Sequence, residues 1–451
     1  MTKKIFAVIS VLAAVCMIVA LFNNSAIVRT VDSLLTPPFY YTEYQGLVDS
    51  FNESVNRSVN LANPLGGDHL SAITVRDINA DGSEEAFIFY KDTLENNLVY
   101  LSIFTLEGEE WKNCGSCSGY GNEVDSLTFK DLDGDGAQEL IIIWKYAGIS
   151  NTVVASIYRT GKNETDFKEI KTVSCDEYVI ADMDGDGKSD FLYISGASDG
   201  VNITKSARLL RLSKGEFKLI GEAPLDSNVA GYVSYKIEQP EKSKGAKIYF
   251  DAVKSNNQMI TEIICWDAKA KKLLTPLYDA EAGGNTLSMR YEQIPCCDIN
   301  GDGKIEIPVQ AAPEESESTD ATAPAEKSSA YRTTDWVYFS GAKPASVMKS
   351  FVYLDGGYCI RLDLLRNTVF SVGRLESSDD DGWVIYSRGG NVMFTVVTIP
   401  EKTYDLKGGS SYELIYKDGG KAVCAILGES GRYRGIDSEM LTEAVVRLPA
   451  Q

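Results

Sequence analysis

The sequence predicts a mainly β fold: a β-propeller of five to seven blades, with an N-terminal membrane helix and a small C-terminal α+β domain. Two observations carry this. An acidic pattern recurs four times, each time running straight into an apolar, β-branched segment. The intervals between recurrences hold pairs of strands with alternating apolar positions around polar turns.

The recurring segments are "VRDINADGSEEAFIFY" from Val75, "FKDLDGDGAQELIIIW" from Phe129, "IADMDGDGKSDFLYIS" from Ile180 and "CCDINGDGKIEIPVQA" from Cys296. Each reads D-x-[DN]-x-D-G-x-x-[DE], with first aspartates at 77, 131, 182 and 298. The steps are 54, 51 and 116, and the last is close to a double step. That spacing predicts a degenerate copy near residue 238, where "YVSYKIEQPEKSKGAKIYFDAV" keeps a strand–loop–strand form without the aspartates. Between motifs lie hairpin sequences such as "VVASIYRTGKNETDFKEIKTV" and "SARLLRLSKGEFKLIGEA". The unit is thus four short strands with an acidic loop between two of them. That is the composition of a propeller blade, with a solenoid as the alternative.

The spacing suits a calcium loop. Calcium takes six to eight oxygen ligands at about 2.3–2.6 Å from a flexible loop. In the second copy Asp131, Asp133 and Asp135 supply alternating carboxylates, Ala137 a backbone carbonyl and Glu139 a closing carboxylate, while Gly136 permits the bend. The other copies offer Asp77, Asn79, Asp81, Ser83 and Glu85; Asp182, Asp184, Asp186, Lys188 and Asp190; and Asp298, Asn300, Asp302, Lys304 and Glu306. At the backbone-ligand position the side chain is expected to point away, which lets a lysine sit there. Counting carboxylates predicts tighter binding at the 131 and 182 copies. An EF-hand is excluded, because its position 12 falls on Ile142 and Tyr193, inside strands rather than on glutamate.

These motifs resemble the FG-GAP/VCBS repeats of integrin α-subunit propellers and of many bacterial surface proteins. The resemblance covers residues 65–345. It implies up to four Ca²⁺ ions held in individual blades, on a bacterial envelope protein.

The amino terminus, "MTKKIFAVISVLAAVCMIVALFNN", places Lys3 and Lys4 before an uncharged run from Ile5 to Phe22. A signal anchor through residues 5–22 is expected, with the rest of the chain extracytoplasmic; lipidation at Cys16 is the alternative. The domain plan is residues 1–30 anchor, 31–64 helical lead-in, 65–346 propeller and 347–451 α+β domain. Within the lead-in, Tyr44, Leu47, Val48, Phe51 and Val55 fall at helical spacing, and the helix is expected to pack on the propeller. Residues 311–330, rich in Ala, Pro, Ser, Thr and Glu, read as a disordered insertion in the last blade. Residues 437–448 read as a terminal helix capped by Asp437, with Leu441, Ala444, Val445 and Leu448 on one face.

A formal charge of −20 disfavours nucleic acid as partner. "CGSC" at 114–117 lies in a Gly/Ser context without a βαβ unit, favouring a structural disulfide or free thiols over redox work. The single histidine, His69, reads as a loop residue, and no hydrolase motif appears. The sequence therefore predicts a non-enzymatic, membrane-anchored surface protein that binds a protein or glycan. The alternatives are a glycan-degrading envelope enzyme and an accessory regulator of a membrane partner.

Overall fold

The computed structural model describes residues 44–92, 98–146, 152–160, 166–198, 200, 203–239, 244–310, 333–365, 370–375, 381–387, 390–407, 412–433 and 435–448. The expected anchor at 5–22, Cys16 and the expected insertion at 311–330 lie outside the described residues. Among the described residues no helix is long and apolar enough to cross a membrane.

The chain is mainly β, in several antiparallel sheets made by consecutive strands. The first joins Val59–Leu61, Ile73–Arg76, Glu85–Asp92, Val99–Glu107 and Glu110–Ser118. The second runs Glu123–Lys130, Glu139–Lys145, Val153–Arg159 and Lys168–Cys175, and the third Glu177–Ala181, Asp190–Ser198, Ile203–Ser213 and Glu216–Leu225. The fourth, Val229–Glu238, Lys247–Lys254, Met259–Asp267 and Lys272–Leu274, contains the degenerate copy that the repeat spacing predicts, as its first hairpin. The last strand of each of the first three sheets leads within a few residues into the first strand of the next.

The sheets pack face to face, and period-2 alternation assigns each residue to one interface. In "LIIIW", Leu140, Ile142 and Trp144 join Phe87 and Phe89 of the first sheet. Ile141 and Ile143 join Phe191, Tyr193 and Leu210 of the third. In the third sheet Leu192 and Ile194 meet Ile248 and Phe250 of the fourth. Tyr249 and Ile263 then meet Ile307, Val337 and Phe339 of a fifth sheet. A strand buried on both faces reads as an unbroken apolar run, which accounts for the abrupt change of character after each acidic loop.

The outer face of the first sheet is covered by helix Gln45–Val55, which seats Leu47 and Phe51 on Ala86, Ile88, Tyr90, Phe104 and Trp111. The lead-in helix thus packs on the first sheet.

The C-terminal part departs from expectation in two ways. The fifth sheet contains Ile307–Gln310, Thr333–Ser340, Lys343–Tyr353 and Tyr358–Arg361, so Lys343–Tyr353 runs across the expected 346/347 boundary, hydrogen-bonded on both sides. The terminal helix spans only Ser438–Ala444. Asp437 caps it, accepting from the Met440 N–H at 2.9 Å, but Val445–Arg447 leaves as a strand and pairs with Tyr358–Ile360 of the fifth sheet. β-branched Val445 and Val446 favour that exit. A sixth sheet, in order Phe370–Arg374, Asp381–Ser387, Val392–Pro400, Lys421–Leu427 and Glu413–Asp418, packs with helix Ser438–Ala444.

Candidate metal centres

Each acidic motif forms the loop between neighbouring strands at the start of a sheet, joining Arg76 to Glu85, Lys130 to Glu139 and Ala181 to Asp190. In the fifth sheet, Cys297 pairs with Glu306 across the loop. The four copies share one hydrogen-bond plan. The first aspartate accepts from the glycine N–H five residues on: Asp77 from Gly82 at 3.0 Å, Asp131 from Gly136 at 3.0 Å, Asp182 from Gly187 at 2.8 Å and Asp298 from Gly303 at 2.8 Å. Those glycines have φ between 84° and 94°, so the bend requires the left-handed region. Asp81, Asp135, Asp186 and Asp302 accept from the N–H of Ser83, Ala137, Lys188 and Lys304 at 2.7–2.9 Å.

The closing glutamates reach back over the loop: Glu85 accepts from Ile78, Glu139 from Leu132 and Glu306 from Ile299, at 2.9–3.1 Å. All three are fully buried. In each of Glu139 and Glu306 the second carboxylate oxygen, Oε1, is buried without a hydrogen-bond partner, as is Oδ1 of Asp133. Burial first, then the nearby aspartates, pushes Glu85, Glu139 and Glu306 up to about 7. A bound cation would relieve both terms at once, because burial and the neighbouring carboxylates each disfavour the charged form. Two triads are drawn tightest: the carboxylate oxygens of Asp131, Asp133 and Asp135, and of Asp182, Asp184 and Asp186, lie within 4.8 Å of one another. These two groups can hold a metal ion. In the first and fourth copies Asn79 and Asn300 replace the middle aspartate; Asn79 donates to Asp81 and Glu85, and Asn300 accepts from the Asp302 N–H.

Two arginines that the motif does not contain enter the second and third loops from the next strand. Arg159 places Nη1 2.6 Å from Asp133 Oδ2 and Nη2 2.5 Å from Asp135 Oδ2. Arg211 grips both oxygens of Asp190 at 2.7 and 2.9 Å and lies 2.8 Å from Asp184 Oδ2. Asp190 is one methylene shorter than the closing glutamates, and takes this bidentate contact in place of the reach-back. Both arginines are missed by a local motif, since cross-strand pairing brings them there.

Of the lysines at the seventh position, Lys188 points away from its own loop, as expected, and Lys304 turns back onto its own. Lys188 Nζ donates to the Asp133 carbonyl of the preceding loop, and Lys304 Nζ lies 3.0 Å from Asp302 Oδ2. Further contacts tie the loops into a row. Gln138 N–H donates to the Ile78 carbonyl at 2.6 Å and Ala246 N–H to the Asp182 carbonyl at 2.8 Å. In the degenerate copy Lys247 stands where the others carry the closing carboxylate, and its ammonium lies 2.8 Å from Glu238 Oε1 and 2.7 Å from the Tyr338 hydroxyl.

Other residues singled out in the sequence lie elsewhere. His69 stacks edge-on against Phe129 at 5.1 Å. All eight described cysteines, including Cys114 and Cys117, are free thiols. A cavity of about 670 Å³ between the fifth and sixth sheets is lined by residues including Asp355, Tyr416, Asp418, Lys421 and Arg447, and contains no loop ligand.

No protein-family model matches the chain, and no curated protein matches it. Among solved structures, the Bacillus licheniformis rhamnogalacturonan lyase PL11 is similar over 56% of this chain and 58% of its own, at 10% identity and a TM-score of 0.31. This chain thus spans less than two thirds of that structure's length, and a likeness this slight carries no argument about fold or activity.

Proposed function

We propose that the chain is a calcium-binding protein of the bacterial cell envelope, anchored through residues 5–22, whose sheets are propeller-type blades. Structural Ca²⁺ in the loops stiffens the surface that binds a protein or glycan ligand. The observation that carries the calcium reading is the set of buried oxygens that accept no hydrogen bond, Glu139 Oε1, Asp133 Oδ1 and Glu306 Oε1, together with the converging aspartates of the 131 and 182 loops. Nitrogen and sulfur ligands are not among these donors, and an all-oxygen set suits a hard cation. The propeller reading is supported by consecutive antiparallel sheets of four or five strands stacked face to face, with a loop of one plan in the first three of them and again in the fifth.

Calcium that binds only the folded chain raises stability by mass action. The test is thermal unfolding of the full chain with millimolar calcium and with a chelator, alongside a calcium isotherm. Calcium is expected to raise the melting temperature by several degrees, with up to four ions bound. An unchanged melting temperature with no heat of binding would overturn the reading. A pull-down from envelope extracts, with and without chelator, tests the ligand-binding half of the proposal.

A further inference from the structure

We infer that Arg159 and Arg211 are built-in counter-ions, each offsetting one aspartate, so that all four loops present a cation with the same formal charge of −3. The inference rests on reading the loops as cation sites. The third loop position is aspartate only in the second and third copies, as Asp133 and Asp184, and asparagine in the first and fourth, as Asn79 and Asn300. The residue facing the closing carboxylate varies in step. It is Arg159 next to the pair Leu140–Tyr158 and Arg211 next to the pair Phe191–Leu210. In the first sheet it is Thr105, paired with Glu85, and in the fifth it is Tyr338, next to the pair Ile307–Val337.

Each arginine contacts the extra aspartate directly, at 2.6 Å for Asp133 and 2.8 Å for Asp184. Four carboxylates less one guanidinium equal the three carboxylates of the Asn79 and Asn300 loops. The lysine contacts are of a different kind. Lys304 is 51% exposed in its side chain and can turn into water, whereas Arg159 and Arg211 are 14% and 24% exposed and held by two or more carboxylates. An arginine also stays charged at any physiological pH, so the compensation is permanent. It holds the metal-free loop together against repulsion and sets an upper limit on calcium affinity. The ranking by carboxylate count is thereby levelled.

The test is a charge cycle in the full chain: D133N, R159Q, the double variant D133N/R159Q, and R159K. Calcium isotherms and melting temperatures in chelator are read for each. R159Q is expected to tighten one site by about tenfold and to lower the melting temperature in chelator. D133N should weaken one site by a similar factor. The double variant, which gives the second loop the charge count of the first, with asparagine at the third position and a neutral residue facing the closing glutamate, should return both readouts to the wild-type values, and R159K should keep near wild-type affinity. Should R159Q fail to fold, the comparison of D133N, D133N/R159Q and R159K decides. A double variant no closer to wild type than D133N alone would overturn the inference while leaving the calcium reading intact. If wild type binds no calcium the loop reading fails by itself, and the chelator melts alone then decide whether the arginines compensate.

Discussion

Lys247 Nζ lies 2.8 Å from Glu238 Oε1, at a site where three other sheets place a carboxylate on the second strand. Glu238 pairs with Lys247 in the register that pairs Lys130 with Glu139 and Ala181 with Asp190. The fourth sheet has an ammonium where the acidic loops have their closing carboxylate, and so carries its own cation. Glu238 is 6% exposed and also accepts from the Tyr249 hydroxyl and the Ile305 N–H. Replacing Lys247 with Met leaves that carboxylate without its counter-charge. Fully buried pairs lose about 3–5 kcal/mol on such a break; with Lys247 28% exposed, about 2 kcal/mol is expected. Urea unfolding should show the same loss with and without calcium. A loss seen only in chelator would contradict the assignment.

Ala80 stands at the fourth position of the first loop with φ 57°, where the other loops have Gly134, Gly185 and Gly301 at 74–80°. A side chain in the left-handed region costs about 1–2 kcal/mol, partly offset by the greater freedom of an unfolded glycine. Ala80→Gly is therefore expected to stabilise the protein by about 0.5–1 kcal/mol in equilibrium unfolding. A destabilised variant would show that the strain is relieved elsewhere.

Glu262 belongs to no loop. Burial pushes its carboxyl up to about 7, with Asp226 adding to the effect against the opposing Asp226 N–H bond. Below the ordinary value of 4.5 the group is protonated in both states and contributes nothing. Between about 4.5 and 7 the unfolded chain releases the proton while the folded one keeps it, so stability falls across that window and levels above it. The share of Glu262 is about 3 kcal/mol. Measured in calcium, so that the loop glutamates stay ionised, Glu262→Gln should flatten that part of the pH–stability curve. An unchanged slope would sink the assignment.

Leu47, fully buried between helix Gln45–Val55 and the first sheet, anchors the cover of that sheet. Leu47→Ala is expected to cost about 2–5 kcal/mol. Because the face beneath is apolar, binding of a hydrophobic dye should rise together with the loss. A cost below about 1 kcal/mol would mean that the helix is not integral to the fold.

The loops and the hairpins were legible because their signals are local: aspartates at alternate positions, glycine at the bend, and apolar alternation in the strands. Even the degenerate copy near residue 238, which lacks the aspartates, is found from spacing alone. Arg159 and Arg211 were not legible, since a strand residue's opposite number depends on register and hairpin length. The partner of Lys188 was hidden for a related reason, because it is the backbone of a neighbouring loop 55 residues earlier. At the carboxyl end, helical periodicity over 437–448 could not compete with an open sheet edge, and Val445 follows the edge.

That edge has one more effect. Ile360 and Val445 are direct partners on neighbouring strands, which lie about 5 Å apart in any sheet. The 84 residues between them, Arg361 to Ala444, leave and rejoin the fifth sheet at almost one point. They form a cassette, with the sixth sheet as its body. A short turn in its place would preserve every register upstream, at the expense of uncovering Tyr353, Tyr358 and Ile360. Such a layout lets the whole unit be exchanged in one genetic step while the acidic loops are left as they are.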